Sequence, residues 1–360
     1  MKTLLFTLEY PPFRGGVANY YGNMAKYWPI SEKLVVLDNS RGEIMKENGL
    51  FAWLSAIPVL NRKIINDKID YLLVGQILPL GTVAYLASIF KPIKYAVFLH
   101  GMDLALALRT PRKRFLTKLI LKKADKIICA NSYVGNRLLE FLPELENKIG
   151  LTNPGIESGV PETNQNDLLN LKNNYNLEGK TVLLSLGRLV KRKGVDRTIE
   201  AIAQIPDEES SNMMYFIAGA GPREDYLRQL VPDKFSKKII FLGEINEDEK
   251  WAWLKLCNIF IMPSRDISGD YEGFGIVYLE ANLCGKPVIA GTSGGVGDAV
   301  VNEVTGLMVD PEKTDEIGTA IMRLVKDPAL CKKLGQQGKD RALKDFNWEK
   351  QALNISQFIK

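Results

Sequence analysis

The sequence predicts an α/β protein of two doubly wound, Rossmann-like domains, each a parallel sheet covered by helices on both faces. Three observations predict it. Short apolar, β-rich runs alternate with helical stretches along the whole chain, the rhythm of parallel sheets. The runs are almost continuously apolar, as Ile259-Phe260-Ile261-Met262 is, which fits strands buried on both faces. The 360 residues also divide at a stretch rich in Asn, Glu and Gly, residues 153–179, with Pro154-Gly155 and Pro161 inside it. Read as a linker, it leaves two halves with a boundary near residue 156, as the length itself suggests at roughly 150 residues per domain.

Taken in order, strands are predicted at 2–8, 34–38, 71–74, 95–100 and 126–130 in the first half. The second half repeats the pattern at 181–186, 214–219, 238–242, 259–263, 287–290 and 306–309. Residues 71–90 carry no charge over twenty positions, about the length that spans a bilayer. Gly75, Pro79 and Gly81 interrupt them, so they read instead as a strand, a loop and a buried helix over 82–90.

Composition excludes several chemistries. With 46% apolar and 25% charged residues, the chain is of the ordinary globular kind, and its net charge of +5 does not indicate a nucleic-acid partner. Cys129, Cys257, Cys284 and Cys331 are far apart and form no Cys-x-x-Cys pair, so neither a disulfide framework nor a local zinc site is expected. His100 stands alone, which precludes a multi-His metal centre. No metal and no cofactor are expected. The apolar run before Glu9 is too short for a signal peptide's core, which points to a reducing, cytoplasmic location.

In open α/β sheets ligands bind beyond the carboxyl ends of the strands, and two such domains facing each other would enclose a cleft. The unusual residues lie in those loops. Gly15-Gly16, after the first strand, either lets backbone approach an anion at a helix N-terminus or makes a plain tight turn. Arg188, Lys191, Arg192 and Lys193 follow strand 181–186 with no acid until Asp196. They suit a diphosphate, or form a solvated basic loop. In Glu272-Gly-Phe274-Gly275-Ile276-Val-Tyr-Leu-Glu280, the spacing of Ile276, Leu279 and Leu283 predicts a helix starting near Gly275, with one face inward. Glu272 precedes it and Glu280 lies on its body. A carboxylate accepts two hydroxyl hydrogen bonds, as a sugar or ribose diol offers; a helix-dipole role for Glu272 and a surface role for Glu280 are the plainer readings.

In order along nearly the whole chain, six motifs resemble those of family 4 retaining glycosyltransferases of the GT-B fold. They are Gly15-Gly16, His100-Gly101-Met102-Asp103, Gly187-Arg188 with Lys193-Gly194, Ala218-Gly219-Ala220-Gly221-Pro222, Phe241-Leu242-Gly243-Glu244-Ile245, and Glu272 with Glu280. The runs around Gly15-Gly16 and 270–280 are particularly similar to phosphatidylinositol mannosyltransferases. The resemblance implies that Arg188 and Lys193 hold a donor diphosphate, with Gly16 closing over it from the other domain. It implies that Ile245 and its neighbours frame the base, with Glu247 and Lys250 at base-contacting positions, and that Glu280 binds the ribose. Glu272, Phe274, Gly275 and Ile276 would grip the donor sugar, and His100 would hydrogen-bond it beneath the reacting carbon. A C-terminal helix over 348–359 would return to the first domain, giving domains of 1–156 with 346–360, and 157–345. The family's Pro-Glu after its late paired glycines is absent, and Gly294-Gly295-Val296-Gly297-Asp298 stands there.

The resemblance thus implies metal-independent transfer of a hexose from a nucleotide sugar, GDP-mannose first and UDP-sugars next, to a lipid-linked or glycan acceptor. Residues 109–123 hold seven cations and no acid, among them Arg112, Lys113, Arg114, Lys118 and Lys122, interleaved with Phe115, Leu116, Leu119, Ile120 and Leu121. The stripe fits either an interfacial segment drawn to anionic lipid at the inner face of the membrane or a core-packed helix with a basic outer face. Three other functions remain to be separated. A dehydrogenase would need a full Gly-x-Gly-x-x-Gly turn, of which 218–222 supplies part. A sugar-nucleotide epimerase of the same fold and a non-catalytic nucleotide-sugar binder are the others.

Overall fold

The computed structural model describes residues 1–13, 15–45, 52–157 and 159–360. Arg14, beside the Gly15-Gly16 motif, lies outside them. The chain forms two compact units, Met1–Gly155 with Phe346–Lys360, and Ile156–Asp345.

In the first unit, six strands form one sheet: β1 (Lys2–Phe6), β2 (Lys33–Leu37), β3 (Tyr71–Val74), β4 (Lys94–Leu99), β5 (Lys126–Cys129) and β6 (Ile149–Leu151). Their order is β2-β1-β3-β4-β5-β6, every pair parallel. Alternation along the strands feeds two cores. Leu4, Phe6, Leu72, Val74, Val97 and Leu99 face one, while Leu5, Leu73, Ala96, Phe98 and Ile128 face the other. Strands that bury both faces need apolar residues at every position, hence the uninterrupted runs. The stretch 71–90 is indeed a buried strand followed by the helix Leu80–Phe90. No helix among the described residues is long and apolar enough to cross a membrane.

Two elements correct the sequence reading. β6 was not foreseen, because Ile149-Gly150-Leu151 is a three-residue, half-exposed edge strand with no apolar run to mark it. The stretch read as a linker contains the helix Gln165–Asn174, started by the Asn164 side chain, which accepts from Asn166 N–H. That helix buries no residue, so it has no amphipathic stripe to read.

The second unit's strands are β7 (Thr181–Leu186), β8 (Met213–Ala218), β9 (Ile239–Gly243), β10 (Ile259–Met262), β11 (Val288–Gly291) and β12 (Gly306–Val309). They lie parallel in the order β12-β11-β10-β7-β8-β9. The chain winds outward from β7 through β8 to β9, then restarts at β10 on β7's other side. β7 and β10 therefore flank the switch point, where loops leave in opposite directions and a crevice opens beyond the strands.

Candidate functional site

Both loops at that switch point carry the motifs that the sequence marks, and ion pairs lace them together. Arg192 on the loop after β7 meets Asp270 on the loop after β10, Nη1 to Oδ1 3.3 Å. Lys193 Nζ lies 2.5 Å from Glu272 Oε2, with side chains 12% and 11% exposed. Arg265 Nη2 lies 2.5 Å from Asp196 Oδ2, and this guanidinium is 2% exposed. A backbone bond from Arg265 N–H to the Arg192 carbonyl, 2.8 Å, joins the same two loops. The approach is close enough to require glycine. Gly194 has φ +72°, and a Cβ there would stand 2.1 Å from the Pro263 carbonyl oxygen.

Of the four cations after β7, two are thus already paired. The exposed Arg188 and Lys191 side chains have no partner among the described residues. The loop after β8 braces this segment from the other side. Gly187 N–H donates to Ala218 O (3.0 Å), Leu189 N–H to Ala220 O (2.9 Å), and Gly219 N–H to Gly243 O (2.7 Å).

Glu272 is buried, and its backbone is held twice. Its N–H donates to Ser293 Oγ (3.3 Å), and its carbonyl accepts from Gly295 N–H (3.0 Å). The glycine loop 294–297 thus supports Glu272 from below. The helix Ile276–Leu283 begins at Gly275, whose left-handed φ of +78° and lack of side chain let Tyr278 fold back over it. Tyr278 donates its hydroxyl to the Met262 carbonyl at 2.6 Å, clamping the helix start to the end of β10. Leu279 and Leu283 face inward as the spacing predicts, but Ile276 is 42% exposed, and the buried arc also takes in Val277, Tyr278, Ala281 and Asn282. Helix and neighbours pack on more than one side here, which widens the buried arc beyond a single stripe. Phe274 is buried beside this start.

Glu280, one turn further in, pairs with Lys250 at 2.8 Å, and Lys250 also meets Glu247 at 2.5 Å. Burial alone would lower the Lys250 pKa. The two carboxylates, Glu280 foremost, outweigh it and raise the ammonium's pKa. The helix Glu247–Leu256 that carries Lys250 starts with a capping box between Asn246 and Glu249, which fixes half-buried Ile245 just before it. In sequence, Glu247 and Lys250 lie some thirty positions before Glu280; the structure makes the three one triad.

In the first unit, Gly16 opens the helix Gly16–Lys26 with no side-chain cap at Gly15, and open space lies where its Cβ would be. His100 follows β4. Its Nε2 lies 2.7 Å from the Tyr21 hydroxyl, and its ring stacks 6.1 Å from Phe98 at 6°. Burial pushes its pKa down to about 4, so the ring is neutral. Asp103 Oδ1 accepts from the backbone N–H groups of His100 and Gly101, each at 2.9 Å. Burial pushes the Asp103 carboxyl up to about 6, against those N–H bonds.

The basic stripe is the helix Pro111–Lys123, which buries only Thr117, Ile120 and Leu121. Phe115 is 66% exposed, and Met102 and Leu106 on the preceding helix are exposed as well. Lys122 is tied to Glu144 (2.7 Å), and Arg114 lies over the Phe141 ring. Arg112, Lys113 and Lys118 are exposed and have no side-chain partner among the described residues.

Sequence reasoning missed Arg265, Asp196, Tyr21 and Tyr278. An arginine three positions past the apolar run of β10, after Pro263 and Ser264, was the available signal, since a buried guanidinium must have an acid nearby. Among the described residues, no three His, Cys, Asp or Glu side chains are grouped to hold a metal.

Residues 169–341 match the family model described as glycosyl transferases group 1. Over 100% of the chain and 98% of the relative, the sequence is 26% identical to a GDP-mannose-dependent alpha-(1-6)-phosphatidylinositol monomannoside mannosyltransferase of Mycobacterium tuberculosis. It is 27% identical to an uncharacterized glycosyltransferase of Methanocaldococcus jannaschii, covering 99% of this chain and 97% of that one. Among solved structures, a glycosyltransferase from Rickettsia africae superposes with a TM-score of 0.81 at 19% identity, covering 99% and 97% of the two chains. Anabaena HepE in complex with UDP gives 0.78 at 18%, covering 100% and 99%. With two parallel six-stranded sheets and motif-bearing loops at the switch point of the second, the chain has the two-domain GT-B fold and is similar to glycosyltransferases, phosphatidylinositol mannosyltransferases among them.

Proposed function

We propose that this chain transfers a hexose, with retention of anomeric configuration and without a metal or cofactor, from a nucleotide sugar to a lipid-linked or glycan acceptor. GDP-mannose is the favoured donor, from similarity to the mycobacterial mannosyltransferase, with UDP-sugars next. The observation that carries the reading is the switch point of the second unit. There Lys193 and Glu272 stand as a pair, with unpaired Arg188 on the same loop. Cations meet a diphosphate, and a carboxylate meets sugar hydroxyls.

As the glycosidic bond breaks, the sugar gains oxocarbenium character and the departing diphosphate gains charge. Arg188 and Lys193 stabilise that charge, and fixed cations do so without reorganisation. Glu272, Phe274, Gly275 and Ile276 hold the sugar, and Glu280 the ribose. Ile245, with Glu247 and Lys250, borders the base. His100 hydrogen-bonds the sugar, and Gly16 leaves backbone open to the diphosphate. The leaving phosphate takes the acceptor's proton. The exposed face of Arg112, Lys113, Phe115 and Lys118 supports docking at an anionic membrane surface.

Three measurements test this. Thermal shifts with GDP, UDP, GDP-mannose and UDP-glucose, with and without Mg2+, should show stabilisation by one nucleotide series; none with any of them would remove the proposal. Turnover with and without extracted lipid acceptor then separates transfer from epimerisation and from binding alone. Replacing Arg112, Lys113 and Lys118 by Glu should release the protein from anionic vesicles; unchanged co-sedimentation would remove the membrane surface from the reading.

A further inference from the structure

The hydrogen bonds around the one histidine of the chain determine which of its nitrogens carries the proton. Tyr21 Oη lies 2.6 Å from the Gly75 carbonyl oxygen and 2.7 Å from His100 Nε2. Two oxygens at 2.6 Å need a proton between them, and a carbonyl has none, so the Tyr21 hydroxyl donates to Gly75. A phenol has one proton. The second short contact therefore needs its proton from the ring, and His100 Nε2–H donates to Tyr21 Oη. Since the ring is neutral, Nδ1 is then a bare acceptor. Phe98 stacked on the ring and Tyr20 edge-on at 5.2 Å hold its plane, and Nδ1 has no partner among the described residues.

We infer that Tyr21 is a positioning residue that locks His100 in the Nε2–H tautomer, so that Nδ1 accepts a hydrogen bond from a hydroxyl of the sugar substrate. This rests on the proposed contact between His100 and the sugar, and it adds the direction of that bond. The site favours a ligand that brings a hydroxyl donor and disfavours one that brings only an acceptor. A deoxy sugar lacking that hydroxyl would leave Nδ1 unpaired.

A lone histidine makes the test unambiguous. Long-range proton–nitrogen correlation spectra of the full chain should show Nε2 as the protonated nitrogen and Nδ1 as the bare one. In Tyr21→Phe the two nitrogen shifts should move toward each other as the Nδ1–H tautomer becomes populated. That variant should also lose about 2- to 10-fold in kcat/KM, the worth of one neutral hydrogen bond. Adding GDP-mannose or UDP-glucose should shift Nδ1 in the wild type, while GDP and UDP leave it in place. A proton on Nδ1 in the wild type overturns the tautomer lock, and that spectrum decides it even if Tyr21→Phe does not fold. Nitrogen shifts unchanged in a folded Tyr21→Phe overturn the role of Tyr21. An Nδ1 indifferent to both sugars overturns the acceptor role and the sugar contact together, without touching the tautomer lock.

Discussion

Arg188 and Lys193 differ in what their charges already do. Lys193 is committed to Glu272, whereas Arg188 is exposed and unpaired among the described residues. Arg188→Ala should therefore leave stability within about 0.5 kcal/mol, as surface changes do, yet lower kcat/KM by about 100- to 1,000-fold. Urea unfolding and steady-state kinetics on the same sample check both halves; near-normal turnover would remove the diphosphate assignment. His100 has a signature of its own in pH. Its pKa falls from an ordinary value near 6.5 to about 4 on folding. Between those values the unfolded chain binds a proton that the folded chain refuses, so its contribution is complete above about pH 6.5 and is lost as the pH falls toward 4. Asp103, raised to about 6, works in the opposite direction, but equally in wild type and in a His100 variant. In His100→Gln the melting temperature should therefore drop less between about pH 7 and pH 5 than in the wild type; an equal drop would contradict burial as the cause.

At the scale of elements, the two loops of the switch point are one construction. Arg265 and Asp196 form its buried end. Removing one partner strands a charge in the interior, so Arg265→Met should cost about 3–5 kcal/mol, while Arg265→Met with Asp196→Leu should recover much of that. Denaturant titration of both variants is the check, and equal losses would show that the pair is not the unit. Gly194→Ala brings a methyl group against the Pro263 carbonyl in a left-handed backbone and should destabilise by about 1–3 kcal/mol, with donor binding weakened because Lys193 is its neighbour.

At the scale of the whole molecule, the C-terminal segment makes the first unit discontinuous in sequence. Trp348, Ile355 and Ile359 belong to the core of Tyr20, Tyr21, Met24 and Phe98. The helix Trp348–Phe358 comes close enough that a Cβ at Gly155 would meet the Trp348 ring at 2.6 Å, and one at Gly150 the Phe358 ring at 2.6 Å. Trp348→Ala should cost about 3–5 kcal/mol and act locally. Hydrogen exchange should show amides of β3 to β5 losing protection, with those of β7, β10 and β11 unchanged; uniform loss over both sheets would refute a local effect.

The strands were legible because a strand buried on both faces must be apolar throughout, and the motif loops because Gly15-Gly16, Gly187-Arg188 and Gly275 stand in the loops that leave apolar runs. Glu272 before a helix and Glu280 on it were likewise readable from spacing alone. β6 and the helix Gln165–Asn174 were not, since neither buries a patterned face. The pairing of charges was not legible either. Nothing in the run Arg188 to Lys193 distinguishes the two cations left unpaired among the described residues from those that meet Asp270 and Glu272, at sequence separations of 78 and 79. Sequence alone determined the α/β class and which loops carry charge, because local apolar runs and glycines suffice for that. Only the tertiary structure decided which charges neutralise each other and which nitrogen of His100 is bare, because both depend on a few ångströms between groups that the chain brings together only when its sheets form.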